Sequence, residues 1–252
     1  DSGLLACGDV GKGRLAPLAA IEDEIEQALF TEKPLSGLKV LVSAGPTQEA
    51  LDPVRYLTNH SSGKMGYALA KAARNWGAEV TLVHGPTTLP PVRNVADMPV
   101  TSAQSMAETL LMYVEDSDLI IKAAAVADYT PIEMAAQKIK KSEGEFQLTL
   151  KRTQDILKTV GERKREDQVV CGFAMETEQL LEHARAKLES KHADMIVAND
   201  LREHGAGFGI DTNRVTVLTA QGEEALPIMR KEELAYALLE RCLTILKEKR
   251  EK

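Results

Sequence analysis

Unbroken apolar runs, each about the length of one strand, limit what this chain can fold into. They are KVLVSA (39–44), AEVTLVHG (Ala78–Gly85), DLIIKAAAVAD (Asp118–Asp128), QVVCGFA (Gln168–Ala174) and DMIVAND (Asp194–Asp200). A strand with one wet face alternates apolar and polar residues; these do not alternate, so both faces of the sheet are covered. Helical patterns separate them. Met65, Ala68, Leu69, Ala72 and Trp76 recur at helical spacing, as do Leu180, Leu181, Ala184 and Leu188. Between them, Ser102–Glu115 opens on a serine suited to cap a helix. Strand and helix in alternation predict a parallel sheet of the α/β class, Rossmann-like and doubly wound. The end of the chain departs from this rule. RVTVLT (Arg214–Thr219) and EEALPI flank a glycine in the manner of an antiparallel hairpin, and a last helix is predicted over Lys231–Lys249. The expected fold is therefore a mainly parallel sheet with a C-terminal antiparallel extension, without internal repeats.

Charge and composition exclude several function classes. With 31 Lys and Arg against 38 Asp and Glu, the net charge of −7 argues against a nucleic-acid partner, which needs a basic face. No apolar run reaches the length of a membrane span and no signal-peptide pattern is visible, so no membrane partner is expected. The three cysteines, Cys7, Cys171 and Cys242, share no metal-ligand spacing, and an odd number suits a reducing compartment. The chain reads as cytoplasmic. It begins without methionine, which is expected of a piece of a longer protein.

In open α/β sheets ligands bind beyond the carboxyl ends of the strands. Those ends carry SAGPT, HGP, AAAVADY, GFAMET and ANDL, each combining small residues with one or two polar groups. Singly, each is ordinary loop chemistry; together at one edge they favour a pocket. The segment NHSSGKMG (59–66) adds a helix N-terminus, whose free N–H groups and partial positive charge suit Ser61, Ser62, Gly63 and Lys64 to an anion. A serine cap with a surface lysine is the plainer reading of the same residues. Neither the dinucleotide glycine fingerprint nor a Walker P-loop is present. The polar loop PTQEALDPVRYLT between the first strand and this helix is long for a compact domain, and loops of that length are commonly functional.

SAGPTQEALDPVRYLTNHSSGKMG, AAAVADY, KIKK and ANDL, in that order, resemble the phosphopantothenate–cysteine ligases (phosphopantothenoylcysteine synthetases) of bacterial coenzyme A biosynthesis. The resemblance runs from about Leu38 to the C-terminus. GLLACGDVGKGRLA (Gly3–Ala16) is similar to the end of the flavin-dependent phosphopantothenoylcysteine decarboxylases, which are commonly fused ahead of the ligase. The resemblance thus divides the chain into a decarboxylase remnant with a linker helix, AAIEDEIEQALF, over 1–36, and a ligase domain over 37–252. Cys7 matches the decarboxylase's proton donor, and FMN is implied only for the absent decarboxylase body.

What the resemblance implies is a two-step amide synthesis. The carboxylate of 4′-phosphopantothenate attacks the α-phosphate of CTP with Mg2+, giving an acyl-cytidylate and pyrophosphate; the amine of L-cysteine then displaces CMP. The protein's part is positioning and charge neutralisation. Lys138, Lys140 and Lys141 match the family's mobile flap, with Lys138 on the nucleotide phosphates. Ala123, Ala124 and Asp128 match the segment around cytosine and ribose, and Phe173 an aromatic beside the base. Lys187 and Lys191, four apart on one helix face, match lysines that reach the nucleotide. Gln154, Asp155, Ile156 and Leu157 fall where the family often has Asn-Pro-Asp-Ile-Val; here the run is Thr-Gln-Asp-Ile-Leu, without the proline. Asn59 matches the asparagine that handles the acyl-nucleotide, and an uncharged donor suits an oxyanion beside phosphates. The family further implies a homodimer, assembled to a higher order with the fused decarboxylase half. Metal ligands are not assigned.

From the residues alone, blander readings remain open: a solvated basic loop for KIKK, a core position for Phe173, a loop cap for Asn59. Two other functions are also weighed. A nicotinamide-dependent oxidoreductase suits the fold class but lacks the glycine fingerprint and a Tyr-x-x-x-Lys helix. A non-catalytic nucleotide-binding module would keep the pocket without turnover.

Overall fold

The structure, a computed structural model, describes residues 2–4, 7–13, 15–141, 144–176, 180–200 and 209–251. It opens with an antiparallel hairpin of β1 (Ser2–Leu4) and β2 (Val10–Lys12), followed by α1 (Leu18–Leu29). β3 (Lys39–Ala44) starts the main sheet, and a ribbon of β4 (Gln48–Ala50) with β5 (Tyr56–Thr58) precedes α2 (Lys64–Asn75). Then come β6 (Glu79–His84), β7 (Ala96–Pro99), α3 (Ala103–Tyr113) and β8 (Leu119–Lys122). A second ribbon, β9 (Tyr129–Pro131) with β10 (Leu150–Arg152), leads into α4 (Ile156–Arg163) and β11 (Val169–Glu176). After them follow α5 (Leu180–Ser190) and β12 (Met195–Asp200). The chain closes with β13 (Thr212–Asn213), β14 (Val215–Thr219), β15 (Gly222–Ala225), β16 (Met229–Arg230) and α6 (Lys231–Arg250).

The eight-stranded sheet has the order β15-β14-β12-β11-β8-β3-β6-β7. Every pair from β7 to β12 is parallel, while β14 and β15 add the antiparallel extension. From β3 the chain winds outward through β6 and β7, then returns to β8 on the other side. The reversal between β3 and β8 leaves a crevice at their carboxyl ends, where two loops part in opposite directions.

Both faces of the sheet are covered, as unbroken apolar strands require. Val40, Val42, Ile121 and Val197 pack on one face against α2 and α6, through Leu69, Ala73, Leu238 and Leu239. Leu41, Ile120, Val170 and Ile196 pack on the other against α3, α4 and α5, through Met106, Ile156, Val160 and Ala184. Each large side chain withdrawn from water here contributes about 1.5–3 kcal/mol. α2 lies close on β3 because position 66 carries no side chain: a Cβ on Gly66 would stand 2.4 Å from Ala44 Cβ. Gly63, immediately before α2, has φ of 79°, and a Cβ there would come within 2.9 Å of Thr87 Cγ2. Glycine at 63 and 66 thus sets the N-terminus of α2 against the crevice.

Several boundaries differ from the sequence expectation. The buried strand expected over Asp118–Asp128 ends at Lys122. Beyond it the regular ladder stops: Ala123 N still donates to Ser43 O of β3, but Ala125 N donates to Gly45 O in the loop after β3. The strand expected in EFQLTLKR shrinks to Leu150–Arg152, which pairs only with β9. The long loop between β3 and α2 is folded, its middle forming the β4–β5 ribbon. Leu201 of ANDL and residue 177 of GFAMET lie outside the described residues.

Candidate functional site

A cavity of about 500 Å³ opens beyond the carboxyl ends of β8 and β11, beside the N-terminus of α4. It brings together most of the residues expected to meet a nucleotide. Ala124 and Asp128 come from the loop after β8, and Gln154, Asp155, Ile156 and Leu157 from the start of α4. Phe173 comes from β11, and Lys187 and Lys191 from one face of α5 and its end. Phe173 is only partly buried and lines the cavity, so it is more than a core residue.

The junction before α4 is held without the proline that the resembling family has. Thr153 N donates to Asp128 O at 2.9 Å, and Thr153 Oγ1 to Ala127 O at 2.6 Å. Asp155 caps α4, its carboxylate accepting from Lys158 N at 2.9 Å while pairing with Lys191 Nζ at 2.7 Å. Partial burial alone would raise the Asp155 carboxyl; the Lys191 ammonium and the Lys158 N–H reverse this and hold it below the usual range. Lys187 Nζ donates to Phe173 O at 3.1 Å, fixing α5 against β11.

Five lining residues carried no expectation from the sequence: Lys122, Val126, Tyr129, Arg152 and Thr153. Lys122 matters most. It ends β8 on the face covered by α3, α4 and α5, nine-tenths buried, in a strand otherwise apolar. Burial first, and then the neighbouring Lys187, bring its ammonium down to about 8 against the opposing charges of Asp155 and Asp128. The signal in the sequence was a single lysine inside DLIIKAAA. Together Lys122, Arg152, Lys187 and Lys191 put four cations against the carboxylates of Asp128 and Asp155, in a chain that is acidic overall. The cavity is a place for an anion.

Other expected residues do not line this cavity. Asn59 reaches the cavity wall through the backbone: its Nδ2 donates to Ala125 O at 3.2 Å and to Val126 O at 3.1 Å. Ser61, Ser62 and Gly63 stand before α2, with Ser61 Oγ and Ser62 Oγ accepting weakly from Gly63 N and Lys64 N. The residue capping α2 is Gly63, and no serine side chain caps the helix. Lys64 is engaged elsewhere: its Nζ donates to Gly209 O at 2.8 Å and to Asp211 Oδ1 at 2.7 Å. Ala123 stitches to Ser43 O and packs toward the α2 face. Cys7 is exposed in the β1–β2 hairpin, 3.8 Å from Asp9 Oδ2. Cys171 and Cys242 are both buried, as structural cysteines should be.

Lys138, Lys140 and Lys141 are exposed, and Lys138 does not line the cavity. Their backbone is nevertheless fastened. The buried Asp52 carboxylate accepts from Val54 N and Arg55 N at 2.8 Å through Oδ1. Through Oδ2 it accepts from Arg55 Nη2 at 2.6 Å and from Ile139 N at 3.0 Å. Arg55 Nη2 also donates to Ile139 O, so both backbone groups of Ile139 are held. Desolvation would raise the Asp52 carboxyl, but these N–H donors, Ile139 first, hold it far below the usual carboxylate range. The lysine segment is thus tied to the long loop at Ile139, and just before it at Ala135, whose N donates to Leu51 O at 2.9 Å.

Among the described residues no group of three or more His, Cys, Asp or Glu side chains converges as a metal cage. Asp128 is the exposed cavity carboxylate, whereas Asp155 is already engaged. That set does not suit an ion held by protein alone, and fits one carried in on phosphates. No helix among the described residues is long and apolar enough to cross a membrane.

Comparison with known proteins places the chain in one family. The model of the family described as DNA/pantothenate metabolism flavoprotein C-terminal domain matches residues 35–246. The chain is 48% identical over 250 residues to the coenzyme A biosynthesis bifunctional protein CoaBC of Bacillus subtilis (strain 168), covering 98% of this chain and 61% of that protein. It is 41% identical over 253 residues to the protein of the same name from Escherichia coli (strain K12), covering 99% and 62%. The chain therefore spans about three-fifths of the length of these relatives. It is also similar to the crystal structure of the C-terminal domain of a CoaBC protein, with a TM-score of 0.74 and 43% identity. That match covers 86% of this chain and all of the other.

Proposed function

The chain belongs to the DNA/pantothenate metabolism flavoprotein C-terminal domain family, and from that premise we propose that it is a phosphopantothenate–cysteine ligase domain working with CTP. The observation that carries this reading is the cavity beyond β8 and β11. Nine residues that the resemblance assigns to the nucleotide line it, delivered by the loop after β8, the start of α4, β11 and the end of α5. Residues 37–252 are the ligase, and residues 1–36 the end of a decarboxylase half and a linker, in which Cys7 matches that half's proton donor. The site of action is the cytoplasm.

In the first step a carboxylate oxygen of 4′-phosphopantothenate bonds to the α-phosphorus of CTP, and the bond to the bridging oxygen breaks to release pyrophosphate. Lys187, Lys191 and Arg152 neutralise charge on the bound nucleotide, and Lys138 reaches its phosphates when the lysine segment closes. Mg2+ enters with the triphosphate as part of the substrate. In the second step the cysteine amine attacks the acyl carbon, CMP leaves with the bonding electrons, and the amine proton passes to solvent or phosphate. Exclusion of water by the closed segment protects the acyl-cytidylate from hydrolysis.

Incubation with 4′-phosphopantothenate, L-cysteine, Mg2+ and CTP is expected to release pyrophosphate and form the amide, with ATP far less effective. A cavity framed by Ala124 and Phe173 suits a flat pyrimidine, and a purine presents the wrong edge. Equal turnover with the two nucleotides would remove the CTP assignment; pyrophosphate release with neither would remove the ligase reading.

The family resemblance also supports a homodimer, with further assembly when the decarboxylase half is attached. Sedimentation of this chain at micromolar concentration is expected to give a dimer, and a monomer alone would exclude it.

A further inference from the structure

Lys122 has a feature that none of the other cavity lysines combines. It is nine-tenths buried, it lines the cavity, and among the described residues it has neither a hydrogen-bond acceptor nor an ion-pair partner. Lys187 is bonded to Phe173 O and Lys191 to Asp155, whereas Asp155 and Asp128 act on Lys122 only through space. A buried ammonium with its donors unmatched is costly, and such groups in native proteins find partners. The partner here is what fills the cavity.

The position in the sheet indicates which part of the ligand that is. Lys122 shares its face with Ile120 and Ala124, under α3, α4 and α5. The N-terminus of α2, suited to phosphate, belongs to the opposite face. The lysine segment hangs from Asp52 at the outer loop. Phosphates have Arg152, Lys187 and Lys191 at the more exposed part of the cavity, and the floor at buried Lys122, beside Ala124, is left to a flat ring. Asp128, across the cavity, offers a carboxylate that accepts an amino group and repels a carbonyl. A cation and a carboxylate facing one ring match an edge that has an acceptor at one end and an amino donor at the other.

Resting on the ligase reading above, we propose that Lys122 Nζ donates a hydrogen bond to the O2 carbonyl of the bound pyrimidine and so determines base specificity. Adenine offers no carbonyl there. The same lysine makes affinity depend on pH. Its charged neighbours are Lys187 and Lys191 from α5, Asp155 at the cap of α4, Asp128 in the loop after β8, and Arg152 from β10. Loss of the proton above about 8 leaves a weaker neutral donor.

The test is calorimetric titration of wild type, Lys122→Met and Lys122→Gln with CTP, CMP and inorganic tripolyphosphate. Lys122→Met is expected to weaken CTP and CMP alike, by about 10- to 100-fold as for loss of one hydrogen bond from a charged donor. Tripolyphosphate affinity stays unchanged, and Lys122→Gln, a neutral donor, recovers part of the loss. Wild-type affinity for CTP falls as pH passes about 8, and that of the Met variant does not. If the Met variant binds CTP as the wild type does, Lys122 is a structural lysine and the proposal fails. If tripolyphosphate weakens in parallel with the nucleotides, the contact is to phosphate and the proposal fails. A wild type that binds no cytidine nucleotide overturns the ligase reading, and this proposal with it.

Discussion

Asn59→Asp is expected to slow amide release by ~10²–10³, the usual cost of losing one oxyanion donor, while acyl-cytidylate accumulates on the protein. In the resting structure both amide hydrogens of Asn59 face carbonyls, Ala125 O and Val126 O. The proposal requires one of those bonds to be exchanged for the oxyanion once the acyl group is seated, as catalytic contacts often tighten only in the complex. An aspartate has the same shape, but its carboxylate would face two carbonyl oxygens and any oxyanion with no proton to offer. Activation is less exposed to the change, because its developing charge lies on phosphate oxygens served by lysines and the ion. Rapid quench with labelled CTP, with chromatography of the bound species, reads both steps at once. Amide formation at the wild-type rate would reduce Asn59 to a tie between two loops. A thermal melt accompanies the kinetics, since a large fall in stability would assign the loss to that tie.

Lys122→Met is expected to stabilise the protein at neutral pH even as it weakens nucleotide binding. Methionine has nearly the length of lysine and carries no charge into the floor of the cavity. The ammonium is lowered from 10.5 to about 8, a difference equivalent to about 3 kcal/mol. Below about pH 8 both folded and unfolded chains carry the proton, and the folded state bears the full burial cost. Between about 8 and 10.5 the unfolded chain keeps a proton that the folded one has lost, so wild-type stability rises with pH. The advantage of the Met variant is thus greatest below about pH 8 and fades toward 10.5. Denaturant unfolding at pH 7 and pH 10 measures it. A variant no more stable at pH 7, or an advantage that grows with pH, would show that the ammonium is not held at a cost.

Much of this fold could be read before the structure, because burial on both faces leaves a plain trace in sequence. Val40–Ala44 and Met195–Ala198 are apolar or small for that reason, and a strand was expected at each. The same trace misled at Ala123–Asp128. Small residues there look like continued strand, yet their N–H groups go to the Ser43 side chain and backbone at the end of β3 and to Gly45 and Thr47 in the loop beyond it. Composition carries no record of which acceptor a backbone group has found. The cavity was legible mainly through the resemblance, which supplied Asp128, Asp155, Phe173, Lys187 and Lys191. Lys122 was passed over as an interruption in a strand, since periodicity registers an apolar stripe and not a cation without a partner. Asp52 was equally hidden: its contact with Ile139 joins residues 87 apart, and nothing local marks it.

That contact has a consequence for how the site answers to acidity. A carboxylate held so far below its ordinary range keeps its charge down to pH values well under those at which free aspartates are protonated. Its stabilising effect is in place above the unfolded pKa and is lost only as pH falls through the folded one. The attachment of the lysine segment is therefore blind to protons across the range in which enzymes work, while the cavity floor at Lys122 is sensitive to them near 8. Acidity and alkalinity thus act on separate parts: mild alkali alters the grip on the ligand and leaves the lid on its hinge, and only strong acid unhooks the lid.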